Sequence, residues 1–133
     1  MNDALFEKGL EARIEVLGKT YVQRAFDDSD EFSEPFQEFI TQYCWGTVWN
    51  RDGLPRQTRS LLTLAVLTAL SKPAEVRTHV RGALNNGCSP TEIFEVLLQA
   101  TVYCGVPAGL EAMKAAQGVI AEHSPEEAER GED

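Results

Sequence analysis

Apolar residues in this chain recur every three or four positions, and the apolar stretches are cut by short breaks at Gly18, Lys72-Pro73, Asn86-Gly87 and Gly105-Val106-Pro107. That spacing lines one face of a helix, whereas a half-buried strand needs strict alternation. No long alternating run of Val, Ile or Thr occurs, and no Asn-Gly or Asp-Gly pair sits between two such runs. The chain therefore reads as helices throughout. Leu5, Leu10, Ile14 and Leu17 predict a helix over 3–18, closed by Gly18. Tyr21, Val22 and Phe26 read as a short turn, followed by an acidic patch from Asp27 to Glu31. Ser33-Glu34-Pro35 opens another helix whose apolar members are Phe36, Phe39, Ile40 and Tyr43, and Gly46 to Pro55 reads as the one long irregular segment.

Leu61, Leu62, Ala65, Val66 and Ala69 then predict a helix over 56–71. Pro73 suits the start of the next, over 74–86, whose core stripe is Val76, Val80, Ala83 and Leu84, and Asn86-Gly87 suits its end. Ser89-Pro90-Thr91-Glu92 has the form of a capping box, which starts a helix over 89–104. Gly105-Val106-Pro107 turns into a last helix over 107–122. The expected architecture is an all-α bundle of about six helices in one domain over 1–121. Residues 122–133 form an acidic tail with no core-facing stripe, expected to be disordered.

A length of 133 residues suits one domain, and no apolar run reaches the ~20 residues that cross a bilayer. The start, Met1-Asn2-Asp3, lacks a basic and then apolar leader, which predicts a cytoplasmic protein with no membrane partner. The net charge of -9 is unevenly spread: residues 1–43 carry -6, residues 44–121 carry +2, and residues 122–133 carry -5. Between residues 51 and 81 of the middle stretch, Arg51, Arg56, Arg59, Lys72, Arg77 and Arg81 stand against only Asp52 and Glu75. An acidic chain with one local basic segment lacks the broad positive surface of a nucleic-acid binder. It suits a small anion, or that segment is a solvated face. Cys44, Cys88 and Cys104 show neither CxxC nor CxxH spacing, so neither a metal site nor a disulfide framework is expected, and buried free thiols are.

Glu75 and His79 are four residues apart on one predicted helix, about 40° from each other around its axis. They lie at the margin of its core stripe, beside the small residues Gly82 and Asn86. A carboxylate one turn before an imidazole can set the ring's tautomer and hold its charged form, as a general acid requires. The same pair can equally be an ordinary helix-surface contact. Trp45 and Trp49, with Arg51 close by, could roof a pocket for an apolar, carboxylate-bearing ligand, or fill a gap between helices or subunits. Tyr103, just before a turn, could donate to an oxyanion or cap a buried carbonyl.

The run Tyr43-Cys44-Trp45-Gly46-Thr47-Val48-Trp49-Asn50-Arg51-Asp52-Gly53-Leu54 resembles the tryptophan-bearing loop of the gamma-carboxymuconolactone decarboxylase family. The resemblance continues in one register through Arg59-Ser60-Leu61-Leu62-Thr63-Leu64, Glu75 to Gly87, Glu92-Ile93 and Tyr103 to Pro107. The wider superfamily includes thiol peroxidases of the alkylhydroperoxidase D kind, with a CxxCxxxH motif. Aligning His79 with that histidine puts Lys72 and Glu75 in place of the two cysteines, which removes the thiolate and resolving thiol that chemistry needs.

The resemblance implies a cofactor-free lyase of protocatechuate degradation (the beta-ketoadipate pathway), converting 4-carboxymuconolactone to 4-oxoadipate enol-lactone and carbon dioxide. It implies an alkylhydroperoxidase D-like helical subunit in a ring-like homo-oligomer, a trimer or hexamer. On this reading His79 delivers a proton, oriented by Glu75, and the substrate is a small dianionic lactone. Arg51, with Arg56 or Arg59, pairs with its carboxylates, Trp45 and Trp49 form an apolar wall, and Tyr103 donates to the oxyanion. Two alternatives stay open at this point: a thiol-dependent peroxidase or oxidoreductase on the same fold, and a non-catalytic oligomer that binds an aromatic-derived acid.

Overall fold

A computed structural model describes residues 2–123. Among them are seven α-helices, one π-helical segment and no strand. The helices are α1 (Asp3–Leu17), α2 (Lys19–Asp27), α3 (Glu34–Ile40), α4 (Arg56–Ala69), α5 (Pro73–Asn85), α6 (Pro90–Cys104) and α7 (Val106–Glu122), with the π segment, Thr41–Val48, between α3 and α4. None is long and apolar enough to cross a membrane. Most of the expected tail, residues 124–133, lies outside the described residues. The described residues cluster into two compact units, 2–54 and 55–123.

In the first unit α1 packs on α2 and on the π segment. Asn2 caps α1 by accepting the Leu5 amide at 3.0 Å. The chain restarts at once as α2, where a turn was expected. Gly18, at φ 95°, makes the one-residue corner, and Val22 and Phe26, one turn apart, pack on Ala12, Val16 and Leu17 of α1. The second departure is the π segment, which takes in Gly46 to Val48 and shortens the irregular stretch to 49–55. Its wide turn shows in the Trp49 amide, which donates to the Cys44 carbonyl at 3.0 Å, five residues back.

Two glycines let α1 and the π segment touch backbone to backbone. A Cβ on Gly9 would overlap the Thr41 carbonyl oxygen and stand 2.9 Å from the Gly46 nitrogen; one on Gly46 would stand 2.7 Å from the Leu5 carbonyl oxygen. Beneath this crossing Arg13 is buried, donating from Nη1 to Thr41 Oγ1 at 3.0 Å, with its guanidinium 5.6 Å from the centre of the Phe26 ring. Loss of hydration pulls its pKa down.

The second unit packs α5 on α4 and α7, and α6 on α4 and α7. Its core is Leu64, Val76, Val80, Ala83, Cys88, Ile93, Leu97 and the small side chains Ala112, Ala115, Ala116 and Val119 of α7. The expected capping box is present: Ser89 Oγ accepts the Glu92 amide at 3.0 Å, and Glu92 Oε1 accepts the Ser89 amide at 2.9 Å. The stripe of α5 is as expected, but that of α4 is not. Its buried residues are Ser60, Leu64 and Thr68. The more apolar Leu62, Val66 and Leu70 are exposed.

Gly118 of α7 is exposed, and a Cβ built there meets nothing within 4 Å. Gly118→Ala is expected to raise stability by about 0.5–1 kcal/mol, the helix-propensity difference, as an upward shift of the urea midpoint at constant slope. At Gly109 of the same helix a Cβ would overlap Thr101, so the same substitution there is expected to destabilise.

Candidate active site

Second-unit residues expected in the site come from three helices. Arg56 and Arg59 occupy the first turn of α4, both partly buried, and the Nε of Arg59 is inaccessible to solvent. Glu75 is exposed in the first turn of α5, and His79 follows one turn later, largely buried. Since α4 and α5 pack together, these four residues belong to one helix pair. Tyr103 lies in the last turn of α6 and is 81% exposed.

The environment of His79 differs from the expectation. Burial pushes its imidazole down from 6.5 to about 4, so the ring is neutral near pH 7. A carboxylate holding the charged form would push it the other way. Glu75, one turn before it, stands exposed. Of the other cations on α5, Arg81 makes a surface ion pair with Glu122 at 3.8 Å and Arg77 is exposed.

Between α4 and α6 runs an open, mostly apolar groove of about 570 Å³, lined by Thr58, Leu61 and Ala65 on one side and Val96, Gln99 and Tyr103 on the other. Of the residues expected in the site, Tyr103 alone lines this groove.

Trp45, Trp49 and Arg51 belong to the first unit. The indoles stack with centroids 4.7 Å apart and planes at 23°, and they pack into that unit's core with only 4% and 6% of their surface exposed. Both rings pack with Ala12, Val16 and Leu17 of α1 in that core. Arg51 is exposed two residues beyond, its amide donating to the Val48 carbonyl at 3.1 Å.

All three cysteines are free thiols, and they differ in setting. Cys88 is buried, Cys44 half-buried and Cys104 exposed, so the expectation of buried thiols fails for Cys104. Burial raises the pKa of both Cys44 and Cys88, which leaves them protonated and poor nucleophiles.

Sequence reasoning missed one polar contact of the helix pair. Asn86, read as a helix stop and as a small neighbour of the Glu75–His79 pair, donates from Nδ2 to the hydroxyl of the fully buried Ser60 at 2.9 Å. A signal for it existed: Ser60, Leu64 and Thr68 recur every four residues, which places hydroxyls on a core-facing line.

The description of the Carboxymuconolactone decarboxylase family matches residues 34–118. The chain is 46% identical over 121 residues to 4-carboxymuconolactone decarboxylase of Acinetobacter baylyi, covering 90% of each chain. It is 47% identical over 116 residues to nitrosuccinic acid decarboxylase of Metarhizium robertsii, covering 87% of this chain and 81% of that one.

Proposed function

Because the chain belongs to the carboxymuconolactone decarboxylase family, we propose that it is a carboxy-lyase that decarboxylates 4-carboxymuconolactone to 4-oxoadipate enol-lactone and carbon dioxide. The observation that carries this reading is the 46% identity to the Acinetobacter enzyme along 90% of both chains.

The chemistry asks little of the protein. The departing carboxylate sits on the γ-carbon of an unsaturated lactone, so the electron pair of the breaking C–C bond runs through the double bond to the lactone carbonyl. The result is a furan-like dienolate, and a proton added at its α-carbon gives the enol-lactone. The substrate is its own electron sink, and the reading calls for no cofactor. What remains is to hold carboxylates, stabilise the oxyanion and return a proton.

His79 supports the last of these. It enters neutral, because burial disfavours the charged ring. A dianionic substrate beside it opposes that penalty and draws a proton onto the imidazole, which then has an acid to give to carbon. Glu75, exposed on the same helix, keeps a secondary part in setting the ring. Arg56 and Arg59 are the second unit's cations for the carboxylates. Arg59→Met is expected to raise KM about tenfold while leaving kcat within about twofold, as loss of uniform binding does.

Assembly belongs to the same reading. Leu62 and Val66 of α4, Leu70 just after it, and Phe94, Leu98 and Val102 of α6 are exposed, and exposed apolar side chains on two packed helices suit an interaction surface. A homo-oligomer, trimer or hexamer, would cover it. It would also enclose Tyr103, whose hydroxyl stabilises an oxyanion effectively only away from water. Leu98→Glu is expected to lower the mass measured by light scattering to that of a smaller species. A cytoplasmic setting accords with three unpaired thiols.

A second reading rests on the equal likeness to the nitrosuccinic acid decarboxylase. Losing a carboxylate next to a nitro group leaves its electron pair on a nitronate, which makes the same demand for an internal sink and a held dicarboxylate. Supplying each substrate and measuring carbon dioxide tests both readings. Release from the lactone supports the first, and release from nitrosuccinate alone supports the second. Binding without release identifies a binding protein. Full lactone turnover in a triple Cys→Ser variant excludes a thiol mechanism, whereas peroxide reduction lost in that variant would support one.

A further inference from the structure

The open end of the α4–α5 pair is closed by side chains. These helices are joined by a three-residue link, Leu70 to Lys72, so they run antiparallel, and the end of α5 lies beside the start of α4. There Asn86 Nδ2 donates to Ser60 Oγ at 2.9 Å, and two residues on, Cys88 Sγ meets the Gln57 carbonyl oxygen at 3.6 Å. Gly87, between them at φ 92°, makes the turn that brings both to α4.

Ser60 has no exposed surface, and a polar group placed there is costly unless it is paired. An apolar pair would fill the space as well, but it could slide. A hydrogen bond has one length and one direction, so it sets how far α4 is advanced along α5. What it sets is functional in its position. Arg59 is the residue before Ser60 and Arg56 one turn before it, while His79 lies on α5 two turns from Asn86, about 10 Å along the axis.

We infer that Ser60 and Asn86 are a positioning pair, which holds the guanidinium-bearing first turn of α4 in register with the imidazole of α5. Neither side chain touches substrate. Their effect passes through the arginines, so it appears in ground-state binding of the carboxylates before it appears in the chemical step. This inference rests on the decarboxylase reading.

The test is steady-state decarboxylation of the lactone by the full chain, with Ser60→Ala and Asn86→Ala compared with the wild type. Each is expected to raise KM about five- to tenfold with kcat within about twofold, and the double variant to be no worse than either single one. In an Arg59→Met background Ser60→Ala is expected to add less than it does in the wild type, because one of the two guanidiniums it positions is gone. A general loss of stability would not produce that pattern. Asn86 is only half-buried, so Asn86→Ala keeps the test open if Ser60→Ala fails to fold. Wild-type turnover with unchanged KM in the folded variants overturns the pairing alone, as does an equal fall in kcat and kcat/KM. A wild type that releases no carbon dioxide from the lactone overturns the decarboxylase reading, and the pairing with it.

Discussion

His79→Gln is expected to cut turnover of the lactone by about 10²–10⁴-fold, the range a positioned proton donor supplies, with helicity and assembly unchanged. The same substitution has a signature independent of activity. In the unfolded chain the imidazole titrates near 6.5, and in the folded chain burial holds it at about 4. Between those values the unfolded state binds more protons, so folding stability is complete above about pH 6.5 and falls as pH drops toward 4. A gap of this size amounts to about 3 kcal/mol at full development. Glutamine cannot titrate, so the difference in stability between the two proteins should change with pH across that window and level off outside it. Urea titrations at several pH values measure it. A constant difference would show that the ring is not held neutral by its surroundings. Activity adds a third measure: bound dianion raises the imidazole's pKa, so the pH profile of kcat should report a value above the free enzyme's. Normal turnover in His79→Gln would remove the residue from the mechanism.

Gly9→Ala is expected to be the most destabilising conservative change in the first unit, by about 3 kcal/mol or more. Alanine is the better helix former by about 1 kcal/mol, so propensity alone predicts a gain. The loss arises because a Cβ at Gly9 would overlap the carbonyl oxygen of Thr41 and lie 2.9 Å from the Gly46 nitrogen. Both are backbone atoms, and neither can swing aside as a side chain does. Relief requires α1 to lift from the π segment, which would uncover Arg13 and loosen the indole stack. Both tryptophans of the chain, Trp45 and Trp49, lie in that unit's core, so their fluorescence reports its unfolding directly. Gly53→Ala is the control, since a Cβ there meets nothing within 4 Å and its midpoint should barely move. Equal midpoints for the two variants would mean that the crossing does not depend on bare backbone.

Amino-acid order by itself settled where most helices begin and end. The signals were local: Pro73 in the first turn of α5, the Ser89–Glu92 box, and glycines at 18, 87 and 105 whose φ lies near +95°. Each acts within a turn of its own position, so a linear reading can find it. The family resemblance was legible for a similar reason, because it is carried by identities along the chain. Tertiary structure alone decided the rest. The π turn exists against Gly9, a residue about forty positions away, and α2 is held by Val22 and Phe26 lying on α1, which their spacing did not announce. The same applies to α4, whose buried line is Ser60, Leu64 and Thr68 while its more apolar flank stays in water. The protonation of His79 follows suit, for spacing to Glu75 suggested a held charge and enclosure imposed a neutral ring. Hydrogen bonds and caps obey nearest-neighbour rules, whereas burial and backbone contact depend on what arrives from elsewhere in the chain.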